Sequence, residues 1–475
     1  MGSLSVLEIN IMKIIIENLG VLKKAAFELG DLTLICGHNN TGKTYATYAL
    51  FGFLQRRRRF MKAEISDQKI RELVNDGATQ ISITRHAKNA ENILSKGCQR
   101  YTQELPRIFA TKPRYFEKTQ FQVELDLDLE SILSPAFEQK IRSRKSELLS
   151  LSKLGGNKNL AVSLSADTEK IELPITIIKE IISDSINEII FGRHFPNPFI
   201  ASSERTGVAI FSKELDFARN RLLEEMAQAD KDIDPMELLF KSYNDYAWPV
   251  KANVEFTRRL ADITKEDSFI VKEYPQILDE FTDIIGGEYI SGSNSSIYFK
   301  PSGKRLRLTM GESSGAVRSM LDIGSYLRHI AKPGDLLMVD EPELSLHPEN
   351  QRRVARLFAR LINLGIRVFV TTHSDYIIKE LNTLIMLNQD KPYLKRIAER
   401  EGYRSEEFVD AERVKVYVAE KALIKTRSSN KRRSRHQTLT EAKVSHEQGI
   451  DARSFDETIN KMNEIQEAIV WGDGQ

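Results

Sequence analysis

The chain has 475 residues and a mass of 54.3 kDa, enough for two or three units that each bury a core. Hydrophobic residues make up 41% and charged residues 29%, which excludes disordered and fibrous classes. Lys and Arg number 69 against 67 Asp and Glu, a formal net charge of +2, so any nucleic-acid surface has to be a local patch. Cys36 and Cys98 are the only cysteines and cannot build a disulfide framework, which fits a reducing cytosol. No apolar run reaches the roughly 18 residues of a membrane span, and the N-terminus lacks the pattern of a secretion signal. The expectation is a cytoplasmic protein with no membrane contact.

Taken in chain order, residues 11–37 hold short β-branched runs broken at Asn18, Gly20 and Gly30-Asp31, which predicts two or three strands. The last run, Leu32 to Cys36, is apolar on both faces and predicts a central, buried strand. A loop over 37–44 leads into a helix over Tyr45 to Arg57. Between about 60 and 290, weak strand signals at Gln80 to Thr84, Gln120 to Asp128 and Asn197 to Ser202 alternate with helical stretches at Ser134 to Leu154, Ser212 to Asp230 and Met236 to Tyr246. Strand signals return at Ser296 to Phe299 and Arg305 to Thr309, followed by a helix from about Ser314 to Ile330. A dense β-α-β passage follows, with strand Leu336 to Asp340, helix Pro348 to Leu364, strand Arg367 to Thr372 and helix Ser374 to Asn382. The tail from Val414 holds a short strand, a basic stretch from Lys425 to Arg435 and a closing helix from Phe455 to Ile469. This suggests a core over 1–60 and 291–400, an inserted and largely helical lobe with some strands over 61–290, and a C-terminal segment over 401–475.

Gly37-His38-Asn39-Asn40-Thr41-Gly42-Lys43-Thr44 satisfies G-x-x-x-x-G-K-[ST] after a buried strand and before a helix, the context that phosphate binding requires. Two glycines let backbone N–H groups curl round a phosphate at a helix N-terminus, Lys43 reaches the outer phosphates, and the Thr44 hydroxyl coordinates Mg²⁺. An Asn-Gly turn before a helix is the alternative, but it leaves the Lys-Thr pair unexplained. Leu336 to Pro342 is an apolar strand ending in Asp340 and Glu341, where a doubly wound sheet places its ligands. Asp340 is the candidate metal residue and Glu341 the candidate to polarise an attacking water. An acid pair after a strand is also an ordinary helix cap, so its reading depends on Lys43. His373 ends the neighbouring strand and is the candidate to reach a γ-phosphate, with Ser374 readable as a plain N-cap. Gly311-Glu312-Ser313-Ser314-Gly315 opens an amphipathic helix and reads equally as an anion site or as a turn with capping serines.

In this order the motifs resemble an ABC-type P-loop ATPase of the RecF, SMC and OLD-like group. They comprise a Walker A at 37–44, a Ser-Ser-Gly helix start at 313–315, a Walker B with a following Glu at 336–341, Ser345-Leu346-His347-Pro348 in the place of a D-loop, and the switch His373. Within that group, residues 14–44, IASSERTG at 200–207 and GIDARSFDETINKMNE at 449–464 are similar to stand-alone ATPases of two-gene anti-phage systems such as PARIS and Septu. The resemblance implies an α/β P-loop fold, a mixed sheet flanked by helices with a large, mainly helical insertion. It implies ATP and Mg²⁺ as cofactors, with Gly37, Asn39, Asn40, Thr41, Gly42, Lys43 and Thr44 binding nucleotide. It further implies that Ser313, Ser314 and Gly315 complete a site in another subunit, so the chain would be at least a dimer. ESSGA stands where transporters have LSGGQ, and no residue is assigned to the Q-loop.

The implied output is a switch in anti-phage defence that controls a partner effector of nuclease type. A RecF-like clamp on DNA is the alternative reading, and a single-chain nuclease is disfavoured because the 102 residues after His373 lack a Glu with a D-x-D pair. Asp126 and Asp128 echo such a pair, although acids alternating with Leu usually mark the wet face of a strand. The basic residues 56–59 and 425–435 are candidates for DNA contact or plain solvated charge. The Glu204-Arg205 pair has no role assigned from the sequence.

Overall fold

The first apolar runs become three strands, β1 (Met12–Leu19), β2 (Leu22–Leu29) and β3 (Leu32–Cys36). The computed structural model of the chain describes residues 12–142, 147–164, 174–211, 246–292, 296–425, 433–451 and 461–469. Two compact units form. One gathers Met1–Ile15, Phe53–Glu104 and Gln120–Pro196, and the other Ile16–Gly52, Leu105–Thr119 and Asn197–Gln475.

The larger unit is built on a six-stranded sheet. Helix α1 (Lys43–Phe60) follows β3, and the chain re-enters the sheet at β4 (Pro198–Ala201). Helix α2 (Gly315–Ser325) precedes β5 (Leu336–Asp340), then come α3 (Pro348–Asn363), β6 (Arg367–Thr372) and α4 (Asp375–Leu387). A hairpin of β7 (Val414–Ile424) and β8 (Ser434–Ala442) completes it. The strand order is β8-β7-β3-β6-β5-β4. Every pairing is parallel except that of β8 on β7.

A parallel sheet is covered on both faces, and its central strands must therefore be apolar throughout. All five residues of β3 and of β5 are buried. Leu32, Leu34, Leu337, Val339, Val368 and Val370 form one core with residues of α2, α3 and α4 such as Met320, Phe358 and Leu381. On the opposite face the Phe27 ring of β2 lies 6.1 Å from those of Phe369 and Tyr417. Parallel register has a direct consequence for chemistry. Asp340 pairs with Thr371 and Thr372 with Cys36, so the loops after β3, β5, β6 and β4 leave the sheet at one edge.

The smaller unit holds a four-stranded antiparallel sheet ordered Ala78–Ser82, Asn159–Leu164, Glu147–Lys153, Phe137–Arg142. The single helix expected over Ser134 to Leu154 is thus two strands. The composition of that segment favours a helix, but pairing with Asn159–Leu164 buries Leu149 and Leu151, and this tertiary gain outweighs local propensity. Lys153, buried at the strand end, donates to the carbonyls of Leu133 at 2.6 Å and Pro135 at 2.5 Å. The D-x-D echo dissolves as well. The strand ends at Leu125, and Asp128 caps the short helix Leu129–Leu133 by accepting from the Ser131 N–H at 2.7 Å.

The helix expected over 314–330 is α-helical to Ser325 and finishes as a π-turn over Tyr326–Ile330. The short strand expected from Val414 runs for 11 residues. Residues 212–245, most of the basic stretch 425–435 and the first half of the closing helix lie outside the described residues, and 461–469 are helical. Among the described residues no helix is long and apolar enough to cross a membrane.

Candidate functional site

The loop after β3 has a shape that its sequence makes obligatory at two points. Gly37 has φ +135° and Gly42 φ +100°, outside the range of ordinary L-residues. A Cβ on Gly37 would stand 2.7 Å from the Ala419 carbonyl oxygen, and one on Gly42 2.7 Å from the Leu22 side chain. Asn40 takes φ +60°, a conformation that Asn tolerates better than most residues. His38, Asn39 and Asn40 are exposed, and the Thr41 hydroxyl pins the turn by donating to the His38 carbonyl at 2.7 Å. Lys43 is buried, with its ammonium donating to the carbonyls of Gly37 at 2.8 Å and His38 at 2.9 Å. Burial lowers the pKa of that ammonium, while the carboxylates of Glu341, Asp340 and Glu343 oppose the shift.

Those carboxylates come from the end of β5, one strand beyond β6. Asp340 is buried, and burial pushes its carboxyl up to about 6. Its Oδ2 accepts from the Thr44 hydroxyl at 3.2 Å, and its Oδ1 accepts from the Thr371 hydroxyl. One carboxylate and one hydroxyl are a donor set that suits a hard divalent cation such as Mg²⁺. Among the described residues no three His, Cys, Asp or Glu side chains are grouped to hold a metal unaided. A cation here would thus take part of its shell from phosphate oxygens and water. Its charge would also offset the burial that drives Asp340 toward neutrality.

Glu341 has φ +53°, a left-handed backbone for a non-glycine residue. Its N–H donates to the Thr371 carbonyl at 2.9 Å. Its Oε1 lies 3.9 Å from Nδ1 of His373, the first residue after β6. His373 Nδ1 is closer still to Glu343, at 3.1 Å from Oε1, and the same oxygen accepts the His373 backbone N–H at 2.8 Å. The His373 side chain is 43% exposed, so one side of the ring stays accessible. Ser374 is the N-cap of α4, as its sequence position suggests, and its hydroxyl also donates to Gln351 at 2.5 Å.

Three parts of this arrangement were not assigned from the sequence. Glu343 lies in the same Asp-Glu-Pro-Glu run as the two acids already noted, but a carboxylate there is indistinguishable from one that decorates a turn. Glu204 follows β4 and accepts from the Tyr48 hydroxyl of α1 at 2.7 Å. Its neighbour Arg205 is fully buried, with its guanidinium on four main-chain carbonyls.

Ser313, Ser314 and Gly315 have local partners. The Ser313 hydroxyl donates to the Thr309 carbonyl at 2.7 Å. Ser314 caps α2 by accepting from the Val317 N–H at 3.3 Å. Gly315 packs against the following loop so closely that a Cβ would stand 2.8 Å from the Ser345 hydroxyl. Ser345 itself has φ +60°, His347 caps α3, and Pro348 opens it.

The family described as AAA ATPase domain matches residues 10–378, which contain every site residue described above. No curated protein matches the sequence. Among solved structures the chain is similar to an Smc head bound to the C-winged helix domain of ScpA, at 11% identity and a TM-score of 0.32, over 91% of this chain and 98% of that one. It is similar to an Smc head with an extended coiled coil, bound to the C-terminal domain of ScpA and derived from Pyrococcus furiosus, at 13% identity and a TM-score of 0.32, over 96% and 99%. A third is the SMC head domain from Thermotoga maritima, at 10% identity and a TM-score of 0.30, over 91% and 99%. These similarities are too distant to carry residue roles across.

Proposed function

The chain belongs to the AAA ATPase domain family, with a P-loop fold whose mixed sheet is flanked by helices, and from that premise we propose an ABC-type ATPase that binds and hydrolyses ATP. The observation that carries the reading is the convergence of Lys43, Thr44, Asp340, Glu341 and His373, drawn from three strand ends, at one edge of the sheet.

In this reading the loop 37–42 wraps the phosphates with main-chain N–H groups, and Lys43 exchanges its two carbonyl partners for the outer phosphate oxygens. Thr44 and Asp340 hold Mg²⁺, which when bound neutralises developing charge on the phosphates. Glu341 accepts a hydrogen bond from the attacking water and draws its proton away. His373 donates toward the γ-phosphate, with Glu343 holding the ring by Nδ1 and leaving Nε2 free for that task. The Ser313–Gly315 helix start serves a neighbouring subunit, so nucleotide joins two copies and hydrolysis parts them. The output is a cytoplasmic switch in anti-phage defence that acts on a partner effector, an assignment supported by the resemblance of 200–207 and 449–464 to such ATPases.

Lys43→Ala should abolish binding of a fluorescent ATP analogue, whereas Glu341→Gln should bind it normally and fall at least about 100-fold in turnover. Unchanged affinity of the first variant would sink the P-loop assignment, and normal turnover of the second would remove Glu341 from the chemistry. For the biological output, phage plating on bacteria carrying the chain with its partner gene is the measurement. Protection that survives Lys43→Ala would separate defence from nucleotide.

A further inference from the structure

The Glu341 carboxylate is useful only if its main chain stays in the left-handed conformation that aims it toward His373. For an L-residue that conformation is unfavourable, so something outside the residue must hold it. Arg205 is in a position to do so. It is 1% exposed, and its Nε donates to the Ser319 carbonyl at 2.7 Å. Its Nη1 donates to the carbonyls of Ser202 at 2.8 Å and Asp340 at 2.6 Å, and Nη2 donates to that of Glu341 at 2.8 Å. Two of the four acceptors are thus the carbonyls on either side of the Glu341 α-carbon, and a third belongs to α2, the helix that Ser314 caps. A planar guanidinium reaches several fixed acceptors at once, as the single ammonium of lysine cannot.

We propose that Arg205 is a positioning residue for hydrolysis, a buried clamp that fixes the Asp340–Glu341 main chain and ties it to the Ser-Gly helix. The proposal rests on the reading of Glu341 as the carboxylate that polarises water. It assigns Arg205 no contact with nucleotide. Its loss should therefore change the rate of the chemical step and leave nucleotide affinity alone. A misplacement of the order of 1 Å at a reacting group costs about 100-fold in rate.

The test compares Arg205→Lys and Arg205→Gln with the parent chain in single-turnover ATP hydrolysis, in equilibrium binding of a fluorescent ATP analogue and in thermal unfolding. The expected result is a rate about 100-fold lower, with affinity within about threefold of the parent. In a Glu341→Gln background, Arg205→Lys should slow the residual rate by no more than about threefold, because the group it positions is already disabled. A rate within threefold of the parent in both folded variants, or the full loss repeated in the Glu341→Gln background, overturns the proposal. So does a parallel fall of affinity and rate. If neither variant yields folded protein, Arg205 is a structural strut and the positioning role is wrong. Normal turnover of Glu341→Gln alone overturns the catalytic reading instead, whatever Arg205 does.

Discussion

Asp322 shows how much a single residue can owe to burial. It lies on α2 and is 2% exposed, with its Oδ2 unpartnered among the described residues. Burial pushes its carboxyl up to about 7, and the nearby Arg205 charge opposes the shift without cancelling it. A carboxyl raised in the folded state stabilises the fold fully below its unfolded pKa of about 4, and that contribution is lost as pH rises through about 7. Asp322→Asn stays neutral throughout, so the variant should gain on the parent by roughly 2–3 kcal/mol between pH 5 and pH 8. The apparent midpoints of thermal unfolding of both proteins at the two pH values provide the check. All other titrating groups are shared, and a difference that does not move with pH would mean that Asp322 is ionised in the fold.

At the scale of elements, the start of α2 and the turn before α3 meet with no room to spare. Gly315 and Ser345 touch where one lacks a Cβ and the other holds φ +60°. Gly315→Ala should therefore be destabilising by about 1–3 kcal/mol, although alanine is the better helix former. Ser345→Gly removes the obstructing side chain and suits the positive φ. It should be near neutral alone and should suppress most of the Gly315→Ala cost in the double variant, a coupling of about 1–2 kcal/mol by denaturant unfolding. Additive effects would show that the two elements do not meet as described. The same contact makes Gly315→Asp a poor probe of nucleotide chemistry, since its side chain would collide with Ser345 before meeting any phosphate.

For the assembled molecule, Ser314→Asp is the cleaner probe of a site shared between copies. Asp caps a helix as well as Ser does, so α2 keeps its start while a negative charge faces the place where a neighbour's phosphates would lie. The variant should bind nucleotide at its own Lys43 and fail to turn it over. Mixed one to one with Lys43→Ala, it should recover about a quarter of parental turnover, because half of the random dimers then hold one intact site of two. No recovery from freely exchanging subunits would mean that each chain completes its own site.

The residue patterns alone determined what adjacency can determine. Gly37 to Thr44 is one contiguous stretch, a loop to Gly42 that runs into the start of α1, and β3, β5 and β6 are legible because a central parallel strand must be apolar on both faces. That Asp340, Glu341 and His373 lie at one edge was readable for the same reason, since strand ends in such a sheet share an edge. Tertiary structure decided the rest. Phe137–Arg142 and Glu147–Lys153 have helical composition and become strands that pair with each other, and pairing of the second with Asn159–Leu164 outside the segment buries Leu149 and Leu151. Glu343 shows its relation to His373 only when β6 lies beside β5. Arg205 lies 135 residues from Asp340, and nothing local distinguishes an arginine bound for solvent from one whose guanidinium will donate to four carbonyls from separate parts of the chain. Its partners are main-chain atoms, which every residue possesses, so only the fold specifies which of them it meets.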